Sequence, residues 1–281
     1  MEARIIISED IQRFVRHLKE LEYAQGSVEK YLRDIRAFKR WSKDRQINQD
    51  LLVGWKAHLQ LAGYQPGTIN GMLASLNCLF KFMDWSEFRF KYLKIQRRLF
   101  RSEARELTRS EYARLTETAR ELGNCRLALL METVCATGIR VSEMRYITVE
   151  AVRTGWAEIC LKGKIRTILL PNKLRKKLQK YAKKQKIISG EIFLTRNRKP
   201  LSRRQIWAEM KALCKQAGVV PSKVFPHNLR HLFARTFYQA YKDVSRLADV
   251  LGHSSMETTR LYLISTSAEH VQQMERLGLV S

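Results

Sequence analysis

The residues best suited to chemistry in this 281-residue chain are basic, and several are spaced to meet one phosphate. In "PHNLRHLFARTF", His227, Arg230 and His231 fall at i, i+3 and i+4, so an imidazole and a guanidinium share one helical face. Leu229, Phe233, Phe237 and Ala240 take a different face. Pro226 marks a helix start, which leaves His227 in the first turn beside N–H groups that favour an anion. A guanidinium fork grips two phosphate oxygens, and an imidazole can move a proton. The pair His227 and His231 also suits zinc by spacing, although no acid or cysteine accompanies it at a ligand-like interval.

Arg140 lies in "CATGIRVSE", just past a glycine stop and one turn before Glu143. An arginine at a helix start opposes the dipole and is better placed for an anion, while a plain ion pair with Glu143 also accounts for it. Lys162 occupies the tight turn "LKGK", where it either faces solvent or, if the turn touches a DNA backbone, protonates a leaving oxygen. In "LGHSSMETTRLYL", Gly252 closes one helix, Ser254 and Glu257 read as the capping box of the next, and His253 sits at the junction. Tyr262 lies about 100° around that helix from Leu263, off the stripe of Met256 and Leu263. The position suits a packing aromatic or a nucleophile. A continuous helix would set Tyr262 roughly 10 Å from His253, so the two would cooperate only through a phosphate held between them.

These residues need elements to carry them. Residues 1–91 read as four amphipathic helices forming a bundle, with stripes such as Ile11, Phe14, Leu18 and Leu21 behind an N-cap at Ser8. The second helix shows a row of cations, Arg33, Arg36, Lys39 and Arg40, opposite its core face. Residues 92–107, "YLKIQRRLFRSEAREL", lose helical periodicity and read as a basic linker. Residues 108–281 mix elements. Thr108 with Glu111 and Ser202 with Gln205 are capping boxes, "RVSEMRYI" starts a helix, and "WAEICL" and "IRTILLP" form a hairpin with "EIFLT" as a candidate third strand. The fold class is therefore mainly α, a four-helix bundle followed by a mainly helical domain with a small antiparallel sheet and a C-terminal tail helix.

The 52 Lys and Arg against 27 Asp and Glu leave a net charge of +25. Between Lys162 and Arg204 there are 16 cations, Arg166, Arg203 and Arg204 among them, and one acid, Glu191. A self-repelling patch of this size calls for a polyanion. No run of about 18 apolar residues and no secretory signal argues for a membrane. Five widely spaced cysteines, with no C-x-x-C pair, read as buried free thiols in a reducing cytosol.

The motifs "ATGIRVSE", "LKGK", "PHNLRH", "LGHSS" and "TTRLY", in this order, resemble the tyrosine recombinase (phage integrase) family, in particular its compact Xer-like members. The resemblance covers nearly the whole chain. It implies that Tyr262 is the nucleophile, Arg140 and Arg230 the catalytic arginines, Lys162 the hairpin lysine (with Lys164 its rival, since the hairpin is shorter than the family's usual Gly-Lys-Gly turn), His227 and His253 the histidines, and Glu143 the acid supporting Arg140. It further implies strand cleavage and rejoining through a 3′-phosphotyrosyl link, with neither metal, cofactor nor ATP. The expected partner is double-stranded DNA with inverted-repeat core sites, bound by Arg33, Arg36, Lys39, Arg40, Lys164, Arg166, Arg203 and Arg204. A DNA-bound homotetramer that exchanges tail helices, in the cytoplasm on the nucleoid, completes the expectation. Two other readings remain at this point. "DVSRLADVLGHSSMETTRLYL" also reads as a helix-turn-helix of a non-cleaving regulator, and a type IB topoisomerase shares the chemistry.

Overall fold

The computed structural model describes residues 4–95, 105–161, 164–253, 255–260, 262–263, 271 and 274–277, the side chains of Leu161 and Lys164 excepted. The chain divides into two units, 1–97 and 98–281.

The first unit holds α1 (Ser8–Glu20), α2 (Gln25–Ser42), α3 (Gln49–Leu61) and α4 (Pro66–Phe82). Their apolar stripes meet in one core of Phe14, Leu18, Ile35, Phe38, Trp55, Leu59, Leu73, Leu76 and Phe80. The start of α1 differs from the sequence expectation. Ser8 is the first helical residue, and the Ile7 amide donates instead to the Asp10 carboxylate at 3.1 Å. A full negative charge in the first turn serves the free amides there as well as a hydroxyl would. Asp34 is buried, and it accepts from Lys30 Nζ at 2.7 Å and Ser75 Oγ at 2.8 Å. That knot ties α2 to α4 and satisfies a charge that would otherwise oppose folding.

The second unit contains α5 (Arg109–Glu121), α6 (Cys125–Thr137), α7 (Val149–Thr154), β1 (Trp156–Leu161), β2 (Lys164–Leu169), α8 (Asn172–Lys184), α9 (Arg203–Leu213), α10 (Pro226–Tyr241), α11 (Val244–Leu251) and α12 (Met256–Arg260). Two of the three anticipated capping boxes form, while Ser254 of the third lies outside the described residues. Thr108 Oγ1 accepts from the Glu111 amide at 3.1 Å, and Ser202 Oγ from the Gln205 amide at 3.2 Å. Helix α6 is the central element, packing on α5, α8, α9 and α10 through Leu127, Leu130, Met131 and Val134.

Three expectations need correction. "RVSEMRYI" winds as a 3₁₀ turn, Val141–Tyr146, because the Glu143 amide bonds back to the Arg140 carbonyl at 2.8 Å, an i+3 closure. "EIFLT" forms no strand among the described residues, only isolated bridges pairing Thr148 with Glu191 and Leu194 with Pro200. Ile192 and Phe193 are both buried, so the segment lacks the alternation of a half-exposed strand. All five cysteines are free, but Cys125 and Cys160 are exposed, the first at the start of α6 and the second on the outward face of β1 opposite exposed Ile165.

The ends of the 92–107 segment that fall among the described residues bind the units they adjoin. The Leu93 amide donates to Asn70 Oδ1 at 2.8 Å, and Leu107 is fully buried in the second core.

Helix α6 ends in the left-handed conformation at Gly138, with φ +63°. A Cβ there would lie 2.5 Å from Phe233 Cδ1 and 2.9 Å from Leu251 Cδ2. Gly138→Ala is therefore expected to destabilise the chain by about 2–3 kcal/mol, from positive φ and overpacking together. A urea midpoint equal to wild type would refute this.

Candidate active site

Five elements converge beside Gly138: the C-terminus of α6, the 3₁₀ turn, β2, the first turns of α10, and the junction of α11 with α12. At their centre Arg230 is 1% exposed, the largest of the fully buried side chains. Its Nη1 donates to the Gly138 carbonyl, and its Nη2 to the Leu251 carbonyl at 2.7 Å and to His253 Nε2 at 2.9 Å. Its Nε is buried with no partner among the described residues, where no carboxylate bonds the guanidinium either. Burial, then the neighbouring Arg140 charge, lowers its pKa. The cation is tolerated because Gly138 and Leu251 are carbonyls at two helix C-termini, where the dipoles favour positive charge.

Glu143, 2% exposed, organises the other two guanidiniums. Its Oε1 accepts from Arg140 Nη1 at 2.8 Å, and its Oε2 accepts from the Arg140 amide at 3.0 Å and from Arg166 Nη1 at 3.0 Å. Arg166 also donates from Nη2 to the Val250 carbonyl at 2.9 Å. Burial pushes the Arg166 pKa down to about 10, so it stays charged at neutral pH. This corrects its assignment as a DNA-contacting cation. In the hairpin register Arg166 pairs with buried Ile159, and Ile168 with buried Ala157, so Arg166 lies on the inward face of β2. Gly252, at φ +62°, makes room for it, since a Cβ there would come within 2.2 Å of Arg166 Cδ. Arg140 itself is partly exposed, with 40% of its side chain open to solvent.

His253 is held at both ring nitrogens. A guanidinium can only donate, so Nε2 is an acceptor for Arg230 and the ring proton sits on Nδ1, which donates to Thr259 Oγ1 at 2.8 Å. Thr259 is wholly buried. Desolvation first, then Arg230, Arg140 and Arg166, pushes the His253 pKa down to about 4 from 6.5. The folded chain thus binds fewer protons than the unfolded chain between those values. Stability contributed by His253 is full above about pH 6.5 and is lost as the pH falls toward about 4. The urea midpoint should decline across that window, and His253→Asn should flatten the decline; an unchanged slope in the variant would count against this assignment.

Tyr262 departs most from the sequence expectation. Helix α12 is only five residues long, and Tyr262 follows it in a turn, its amide donating to the Thr259 carbonyl at 2.9 Å. The side chain is 7% exposed and packs with Ala234, Leu247 and Leu251. Its ring centre stands 5.1 Å from that of His253, which lies outside α12, in the junction that follows Gly252. The phenol Oη is 3.4 Å from His227 Nε2, and the ring stacks on His231 at 4.1 Å and 25°. Arg230 Cζ lies 5.9 Å from the ring centroid. Packing aromatic and juxtaposed phenol are therefore one residue.

Of the remaining candidates, Lys162 lies outside the described residues, as does the Lys164 side chain. Arg203 and Arg204 are exposed at the start of α9, and Arg33, Arg36 and Arg40 are exposed on α2. Lys39 is partly buried and engaged, donating to the Ile6 carbonyl at 2.7 Å and to Asp44 at 2.6 Å. Together the four α2 cations line an open groove against α1 of about 1290 Å³. Among the described residues no group of three or more His, Cys, Asp or Glu is arranged to hold a metal ion. The segment after Leu263 that was expected to form a tail helix falls largely outside the described residues.

Sequence reasoning passed over three residues of this cluster: Arg166 as a partner of Glu143, Thr259 behind His253, and His231 against Tyr262. Strand parity in "IRTILL" carried a signal for the first. His231 shares the helical face of His227, which signals the third. Thr259 had none, because its contact depends on how the junction between α11 and α12 places His253.

Residues 105–269 match the Phage integrase family, and residues 11–87 match Phage integrase, N-terminal SAM-like domain. The chain belongs to the phage integrase family. It is a site-specific DNA recombinase of the tyrosine type. The integrase is 29% identical over 233 residues to tyrosine recombinase XerA of Pyrococcus furiosus, covering 80% of this chain and 79% of the relative. It is likewise 29% identical over 291 residues to tyrosine recombinase XerD of Xanthomonas axonopodis pv. citri, covering 94% and 95%. The fold is similar to that of a lambda integrase dimer bound to a COC′ core site, with a TM-score of 0.75 at 19% identity over 92% of this chain and 77% of that one. No described helix of the integrase is long and apolar enough to cross a membrane.

Proposed function

We propose that the integrase cleaves and rejoins DNA by transesterification at Tyr262, needing neither metal nor ATP. The Tyr262 oxygen attacks the scissile phosphorus, a 3′-phosphotyrosyl bond forms, and the 5′ oxygen leaves. A 5′ hydroxyl from another strand then attacks the same phosphorus and releases Tyr262, so bond energy is conserved. His227, 3.4 Å from the phenol, receives its proton. Lys162 delivers a proton to the leaving 5′ oxygen. Arg140 and Arg230 neutralise the pentavalent phosphorane, with Glu143 holding Arg140 in place. His253 adds a hydrogen bond to a non-bridging oxygen.

One observation carries this reading. Arg230 is a buried guanidinium held by neutral acceptors, with its Nε unpartnered among the described residues, directly beside a phenol and three imidazoles. Such a cation lacks only an anion, and a phosphate supplies one with the right fork geometry. To reach it, the phosphate takes the place of His253 on Nη2.

The substrate is double-stranded DNA carrying inverted-repeat core sites. Arg33, Arg36, Lys39 and Arg40 from the first unit and Lys164, Arg203 and Arg204 from the second bind its backbone, in a homotetramer that exchanges C-terminal segments. The working location is the cytoplasmic nucleoid. Residues 1–91 serve as the core-DNA-binding domain, 92–107 as a basic linker and 108–281 as the catalytic domain.

The test is covalent capture. Wild-type protein incubated with DNA from its own replicon, then denatured and freed of unbound DNA, should carry strands joined at their 3′ ends. Sequencing those ends should show one preferred site, and duplexes nicked beside that site should trap the adduct. DNA recovered free of protein in every case would overturn the reading, and relaxed plasmids without recombinant junctions would replace strand exchange with simple relaxation.

A further inference from the structure

Thr259 has no place in the chemistry above, yet it is fully buried and its hydroxyl lies 2.8 Å from His253 Nδ1. A hydroxyl is both donor and acceptor, whereas a carboxylate or backbone carbonyl at that place would only accept and would fix the proton on Nδ1. In the free protein Nε2 accepts from Arg230, the wrong polarity for a hydrogen bond to a phosphate oxygen. To donate there, the ring must either become an imidazolium or move its proton from Nδ1 to Nε2.

The surroundings oppose the imidazolium. Arg230 and His227 of α10, Arg140 at the start of the 3₁₀ turn, Arg166 of β2 and the Tyr262 ring face His253, with His231 stacked on Tyr262 and Glu143 paired with Arg140 and Arg166. Three guanidiniums there face one carboxylate, and the single charge of a phosphodiester leaves the cluster cationic.

We infer that Thr259 is a positioning residue whose hydroxyl rotor lets neutral His253 exchange tautomers, so that Nε2 accepts from Arg230 at rest and donates to a phosphodiester oxygen in the complex. In the exchange Nδ1 gives its proton to solvent, Nε2 takes one from solvent, and the Thr259 hydroxyl turns from acceptor to donor, with no net proton uptake. The inference rests on the strand-transfer reading, but its test does not require cleavage.

Full-length protein carrying ¹⁵N-labelled histidine is followed by NMR at neutral pH without and with saturating dimethyl phosphate, a diester monoanion. The expected result is Nδ1 protonated and Nε2 bare in the free protein, reversed in the complex. Thr259→Ser, which keeps the hydroxyl, should reverse in the same way, and the near-isosteric Thr259→Val should not. On nicked site DNA, Thr259→Val should form adduct about 10- to 100-fold more slowly with unchanged DNA affinity. Both ring nitrogens protonated in the complex, no response to the diester, or a Thr259→Val protein that reverses like wild type would each overturn the inference. If Thr259→Val does not fold, the wild-type and serine measurements decide. Reversal without any DNA adduct would sink the strand-transfer reading alone, and adduct without reversal would sink this inference alone.

Discussion

Tyr262→Phe is expected to abolish the covalent protein–DNA adduct while leaving affinity for site DNA within experimental error of wild type. The substitution removes one oxygen and keeps the ring that stacks on His231 and packs with Ala234, Leu247 and Leu251. The hydrogen bonds it forfeits are the long contact to His227 at 3.4 Å and the one with Arg230, so folding should be little affected. A phosphotyrosyl bond cannot form without the phenol oxygen. Gel-shift binding and denaturing-gel adduct assays on the same nicked duplex separate the two quantities. Adduct at wild-type level from the variant would mean that another residue is the nucleophile.

Arg230→Lys is expected to lower the rate of strand cleavage by about 10²- to 10³-fold, comparable to removing one preorganised donor from an oxyanion site. An ammonium keeps the charge but loses the planar fork. It cannot span the Gly138 carbonyl, the Leu251 carbonyl and a phosphate oxygen at once. Carbonyls at the ends of α6 and α11 would then compete with the substrate for one donor group. The same change should lower unfolding stability by about 1–3 kcal/mol, the range for buried acceptors left unsatisfied. Single-turnover cleavage and urea unfolding measure both. A variant that cleaves at wild-type rate would show that charge alone suffices there.

The helices of both units were legible because their apolar stripes and caps are local signals: Phe14 and Leu18 along α1, Thr108 with Glu111 and Ser202 with Gln205 at helix starts. The juxtaposition of His227 with Arg230 was legible for the same reason, being a matter of helical spacing. What escaped depends on contacts between distant segments. Arg166 read as one more surface cation in a basic run, and only the hairpin register opposite Ile159 turns it inward to Glu143. Tyr262 was set too far from His253 because one continuous helix was counted between them, whereas α12 begins only at Met256 and Tyr262 lies in a turn. Ile192 and Phe193 looked like strand residues, yet both are buried in a segment that only bridges Thr148 and Pro200.

The burial of Tyr262 bears on fidelity. With 7% of its surface exposed, the phenol is withheld from water and from any phosphate that meets the protein briefly. In the proposed mechanism the phosphate must reach this enclosed phenol, and Arg230 must part from His253 to receive it. A stray anion brings one charge and little else to that rearrangement, whereas a cognate duplex brings contacts along its whole length. On the proposed mechanism, recognition far from the scissile bond would be what opens access to the Tyr262 oxygen, so that strand breakage follows reading of the site.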